Sequence, residues 1–96
     1  METEFTPLTD AQWEAVAPLL PPPPQRRGKG QPHAAWRGVV NAILYVLIRR
    51  DKWENIPHTQ EFASKSAAHR WFRCWQRSGL WDQIAARLAP SYPALS

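Results

Sequence analysis

The chain's 96 residues suffice for one domain and not for two, and a domain of this size buries only a modest core. Its longest apolar run, AILYVLI at 42–48, falls far short of the ~20 residues that a membrane-spanning helix needs. The start METEFTPLTD is acidic and has no apolar signal core, which argues against secretion, and the single cysteine, Cys74, excludes an internal disulfide and a multi-cysteine metal site. A lone thiol suits a reducing cytoplasm.

The net charge of +4 conceals a division along the chain. Residues 1–24 hold four acids and no lysine or arginine, whereas 25–96 hold all twelve basic residues against four acids, Asp51, Glu54, Glu61 and Asp82. From Phe62 to Trp81 there are four cations and no acid. Surface cations ordinarily serve solubility, but cations segregated in this way suit an anionic partner, either nucleic acid or a membrane surface.

In chain order, LTDAQWEAVAPLL carries a helix-start signal: Thr9 as N-cap and Gln12 at the capping-box position. Trp13, Val16, Leu19 and Leu20 fall near one face, and Pro18 and then PPPP at 21–24 end the helix. PPPPQRRGKGQP, 21–32, is a Pro-rich basic linker whose Arg26, Arg27 and Lys29 serve either as a basic arm on phosphates or as a solvated connector. HAAWRGVVNAILYVLIRR, 33–50, is the clearest helix. Trp36, Val40, Ile43 and Leu47 form its apolar stripe, widened by Val39, Leu44 and Val46, with Arg37, Asn41, Tyr45 and Arg49 on the other side. Gly38 weakens it slightly.

Pro57 then divides DKWENIPHTQEFASKS into a turn around Trp53–Ile56 and a short helix over 57–62, with Pro57 in the first helical position. ASKS reads as a turn, and Ser66 is a good N-cap for a helix that runs to Ser78, closed by Gly79. A last helix starts at Leu80, runs to about Ala89 and carries Leu80, Trp81, Ile84, Ala85 and Leu88 inward. The expected fold is therefore all-α, a small helical bundle with a helix-turn-helix. Trp13, Trp36, Val40, Ile43, Leu47, Phe72 and Trp75 should be largely buried.

The segment HRWFRCWQRSGLW, 69–81, is the most informative. At 3.6 residues per turn, His69, Arg70, Arg73, Gln76 and Arg77 share one face, while Ala68, Trp71, Phe72 and Trp75 share the opposite one. The aromatics hold the helix to the domain, and the cations face outward without an acid to pair with. A short helix and tight turn directly before it make the pattern of a helix-turn-helix, whose second helix lies in the major groove. In that pattern Phe62 anchors the first helix, Ala63 sits at the bend, and Lys65, Ser66, His69, Arg70 and Arg73 reach bases or flanking phosphates.

LTDAQWEAVAPLLPPP, NAILYVL, Trp53-x-x-Ile56-Pro57 and HRWFRCWQRSGLW, in this order, resemble the N-terminal domain of bacterial insertion-sequence transposases with a DDE-type catalytic domain. The resemblance runs from about Leu8 to Leu88. It implies a helix-turn-helix module that binds the terminal DNA of the element, with Arg70, Arg73, Gln76 and Arg77 in the part of the pattern rich in Arg and Gln. Two segments depart from the pattern. Arg49-Arg50-Asp51-Lys52 stands where the family often has a Thr-Gly-Cys-Pro type turn, and RRGKGQP replaces an Arg-Gly-Arg-Pro type linker. The family's catalytic acids belong to a ribonuclease-H-like domain expected after residue 96.

The chain itself carries no recognisable catalytic constellation. Two-metal phosphoryl transfer needs converging carboxylates, and the eight acids here are scattered. His33, His58 and His69 lack metal-ligand spacing, RRGKG lacks the context of a phosphate loop, and Cys74 has neither a base nor a partner thiol. The expectation is a non-enzymatic module with no cofactor, at work on double-stranded DNA in the bacterial cytoplasm at the nucleoid and not at a membrane. Further partners would be a second copy, as a homodimer, or a separate catalytic transposase chain; a derived DNA-binding regulator fits the same residues. The organisation expected is a single domain over 1–96: an N-terminal helix within 1–20, the linker 21–32, a helical core 33–89 and a tail 90–96. The competing expectation is a protein-interaction module that docks a catalytic subunit or associates with itself. RNA would become the partner if aromatics such as Trp71 were exposed for stacking.

Overall fold

The computed structural model describes residues 5–20, 36–92 and 95. Their regular structure is all-helical: α1 (Asp10–Val16), α2 (Trp36–Arg49), α3 (Lys65–Ser78) and α4 (Leu80–Leu88), with single 3-10 turns at Ala17–Leu19 and Trp53–Asn55. No strand occurs among the described residues. α2 packs on α3, α3 on α4, and α4 on α1, so the chain winds around a shared core.

α1 starts as its sequence dictates. Thr9 Oγ1 accepts from the Gln12 N–H at 3.2 Å and Gln12 Oε1 accepts from the Thr9 N–H at 2.9 Å, which satisfies two donors that the first turn leaves open. The helix tightens into the 3-10 turn at Pro18, whose ring cannot continue the α-helical ladder. Of its apolar face only Val16 is fully buried; Trp13, Leu19 and Leu20 are half-buried. Arg87 of α4 reaches back and donates to the Ala15 carbonyl at 2.8 Å, a cation on the open C-terminal end of α1.

α2 is the central helix and is buried nearly all round, because three different segments cover it. Val39, Val40, Ala42, Ile43 and Leu44 are fully inaccessible to solvent. Asn41, expected on the outer side, is 2 % exposed. Its Oδ1 accepts from the Leu8 N–H and its Nδ2 donates to the Glu61 carbonyl, both at 2.9 Å. Tyr45 is half-buried among Phe5 and Phe62, so the outer side assigned to it is likewise covered. Leu47 is half-buried and Ile48, one position on, is buried instead. Arg37 donates to the Leu8 carbonyl at 2.7 Å and pairs with Asp10 at 3.0 Å, which completes the attachment of the N-terminal segment.

The helix expected over 57–62 does not form. These residues make turns, with one local bond from the Phe62 N–H to the Thr59 carbonyl. The reason is tertiary. The Glu61 carbonyl is taken by Asn41 and the Ala63 N–H donates to the Gly38 carbonyl at 3.0 Å, so the segment bonds to α2 and not to itself. Six residues cannot repay helix nucleation against such partners. Gly38 makes the approach possible, since a β-carbon there would lie 3.3 Å from the Ala63 nitrogen. The helix-turn-helix expected between 57–62 and α3 is therefore not built in that form; α2 reaches α3 through a longer connection that contains the Trp53–Asn55 turn.

α3 begins two residues earlier than expected, because Ser64 and not Ser66 caps it: Ser64 Oγ accepts from the Ala67 N–H at 3.2 Å. It ends at Ser78 as expected, with Gly79 at φ 85°, a left-handed position where a side chain is strained. α4 follows at once and buries Trp81, Ile84 and Leu88, with Leu80 and Ala85 half-buried. α2 also ends left-handed, but on Arg50 at φ 56°. There the Asp51 N–H donates to the Val46 carbonyl at 3.1 Å, the six-to-one bond of a Schellman termination.

Candidate nucleic-acid interface

α3 is two-faced, as its sequence pattern requires. On the inner face Ala68 is fully buried and Trp75 is 2 % exposed, while Trp71 and Phe72 are half-buried. Trp36 meets Trp71 edge-on at 4.9 Å and Trp75 at 5.5 Å between ring centroids, and Phe72 meets Trp81 at 5.5 Å. Each such aromatic contact adds about 0.5–1.5 kcal/mol beyond its buried area. The result is a helix whose axial position and rotation are fixed by rings from α2 and α4. Its outer face is thereby held in one presentation.

Lys65, Ser66, His69, Arg70, Arg73, Gln76 and Arg77 are all exposed on that helix. Arg70, Arg73 and Arg77 flank Cys74, and with Ser78 they line a shallow surface hollow of about 570 Å³. No acid among the described residues pairs with any of these three arginines. Arg70 lies over the Trp71 ring at 5.5 Å, which stiffens its side chain without neutralising it. Cys74 is a free, exposed thiol. Lys65 differs from the arginines, because its ammonium lies 3.9 Å from Glu54 and its charge is partly answered within the fold. Arg26, Arg27 and Lys29 lie outside the described residues.

The Trp53–Asn55 turn takes a role that the sequence did not reveal. Trp53 meets His69 edge-on at 5.2 Å and Phe72 at 5.6 Å, and Glu54 supplies the partner of Lys65. The turn thus braces the leading half of α3. The available signal was a lone tryptophan in an otherwise polar stretch. Asp51 organises the turn: its carboxylate accepts from the Asn55 amide at 2.7 Å and from the Lys52 N–H at 2.8 Å, with Arg49 at 3.9 Å. These contacts, the Asn55 hydrogen bond above all, hold the Asp51 carboxyl below its ordinary value.

The shortest connection between helices is that of α3 and α4, which are joined only by Gly79. α4 differs from α3 in its outer face: its exposed residues Asp82, Gln83, Ala86 and Arg87 balance in charge, and Arg87 is spent on α1. Among the described residues no three His, Cys, Asp or Glu side chains come together to hold a metal ion, and no helix is long and apolar enough to cross a membrane.

Residues 8–85 match the family described as "Putative transposase of IS4/5 family (DUF4096)". A curated relative, "Insertion element IS402 uncharacterized 16.2 kDa protein" of Burkholderia cepacia, is 34% identical over 79 residues, which is 80% of this chain and 54% of that protein. The chain thus spans about half the length of that relative. No solved structure matches the chain. The family match begins at Leu8, the residue that Asn41 and Arg37 anchor, and extends well into α4. The chain belongs to the IS4/5 transposase family.

Proposed function

We propose that this domain binds double-stranded DNA at the ends of an insertion element, with the outer face of α3 in the major groove, and performs no strand chemistry itself. The observation that carries the reading is the contrast between the two faces of α3. Rings from three elements fix the inner face, and the outer face offers Arg70, Arg73 and Arg77 with no acid among the described residues to answer them. A face of that kind is stabilised by phosphates and guanine edges in a way that water alone does not match. His69, Arg70 and Arg73 fall in the half that a groove-bound helix aims at bases, with Lys65 and Ser66 at its leading end. Gln76 and Arg77 fall toward the backbone end. In this reading residues 33–89 are the binding core, and Arg26, Arg27 and Lys29 of the 21–32 connector add contacts to phosphate without sequence preference.

Fluorescence anisotropy with a labelled element-end duplex over a salt series tests the reading. Affinity should fall steeply with salt, and Arg77→Ala should flatten the dependence by roughly one unit. No duplex binding, together with salt-insensitive self-association in sedimentation, would replace it with a protein-interaction role. Incubation of the purified chain and duplex with magnesium or manganese should leave the strands intact; cleavage abolished by substitution of one of its acids would overturn the non-catalytic part.

A further inference from the structure

We propose that Arg50 and Lys52, on the turn between α2 and α3, form a second phosphate-binding site that grips the DNA backbone beside the groove occupied by α3; this rests on the duplex-binding reading of α3. Arg50 stands in the left-handed region at φ 56°, at the position of the α2 termination that glycine fills without strain. Its backbone role there, to orient the turn so that the Asp51 N–H meets the Val46 carbonyl, needs no side chain. The side chain is exposed and forms no ion pair with any described residue. A cation placed where the fold itself would be better served by glycine points to work done outside the fold.

The charges around it sort in the same direction. Arg49 is spent on Asp51 and on the Tyr45 ring, and Lys65 on Glu54. The two nearby acids are each offset by a cation, Asp51 by Arg49 and Glu54 by Lys65, so neither stands as an unpaired negative charge beside the turn. Arg50 and Lys52 are what remain, both exposed, two residues apart. Lys52 immediately precedes Trp53, and Arg50 stands three residues before it, at most about 11 Å along the chain. Trp53 in turn touches His69 on the outer half of α3 at 5.2 Å. The major groove is about 12 Å wide, so long side chains within such a distance of a groove-bound helix are near enough to reach the flanking phosphates.

The test measures melting temperature and duplex binding over a salt series for the full chain and its Arg50→Gly, Arg50→Asn, Arg50→Lys and Lys52→Ala variants, with Arg77→Ala as reference. Arg50→Gly should melt at or above the parent temperature, because it relieves the left-handed arginine. It should nevertheless bind both element-end and scrambled duplexes about five- to tenfold more weakly near 0.1 M salt, with a salt slope flatter by about one unit. Arg50→Asn, which tolerates the same backbone, and Lys52→Ala should weaken binding in the same way, and Arg50→Lys should retain it. The proposal is overturned if Arg50→Gly and Arg50→Asn bind like the parent, or if Arg50→Gly melts below it. Loss of the Arg77→Ala effect, or no duplex binding by the parent, would fail the α3 reading itself. A normal Arg77→Ala response beside unresponsive Arg50 and Lys52 variants would fail this inference alone.

Discussion

Asn41 joins three segments with one side chain. It accepts from Leu8, donates to Glu61, and stands on α2 where water does not reach. Asn41→Ala would leave a buried N–H and a carbonyl without partners, at a cost of about 2–4 kcal/mol. Urea unfolding should show a lower midpoint with an unchanged slope. Asp51 governs the next connection through charge. Its folded carboxyl ionises below the ordinary 3.8, so the stability it contributes is present above that value and is lost as pH falls through the lower folded value. Asp51→Asn should therefore lose less stability than the parent when acidified past 3.8, as read by thermal melts at stepped pH. Neither residue announced this work in the sequence. A helical wheel assigns Asn41 to the polar side, and only the arrival of two distant backbone segments makes that side interior.

At the scale of elements, the features written in neighbouring residues were legible. The capping box at Thr9, the stop at Gly79 and the two faces of α3 all depend on positions within a few residues of one another. Gly79 is the simplest to test. No atom lies within 4 Å of a β-carbon built there, so Gly79→Ala is penalised only by its left-handed backbone, by about 1–2 kcal/mol. Gly79→Asn should lose less, and calorimetry should rank the three proteins in that order. The segment 57–62 shows the opposite case. Pro57 at a favourable first position and the apolar Phe62 are local helix signals, but Gly38 and Asn41, some twenty residues away, claim the backbone groups such a helix would need. The brace of Trp53 on His69 was hidden for the same reason: nothing near Trp53 in the chain tells which ring it meets.

Across the described residues, the structure leaves the arginines of one helix face without an acid partner and spends Arg37, Arg49, Lys65 and Arg87 on contacts within the fold. Phe5, Tyr45, Phe62 and Tyr92 gather the two ends of the described chain onto α2, and the Tyr92 hydroxyl lies 3.1 Å from both the Thr6 carbonyl and Gln12 Oε1. Arg37 and Arg87 are consumed in joining segments, whereas Arg70, Arg73 and Arg77 are not. That partition of arginines could be anticipated for α3 from its lack of acids, but not for Arg37 or Arg87, whose partners come from distant parts of the chain. The most direct measurement is the binding of Arg70→Ala and Arg73→Ala chains, with helicity verified unchanged, to the element-end duplex and to a scrambled one. Each substitution should cost about 1–3 kcal/mol on the element end and narrow the gap between the two duplexes. If both variants bind both duplexes as the parent does, α3 is not the DNA-reading helix and its arginines are a solvated face.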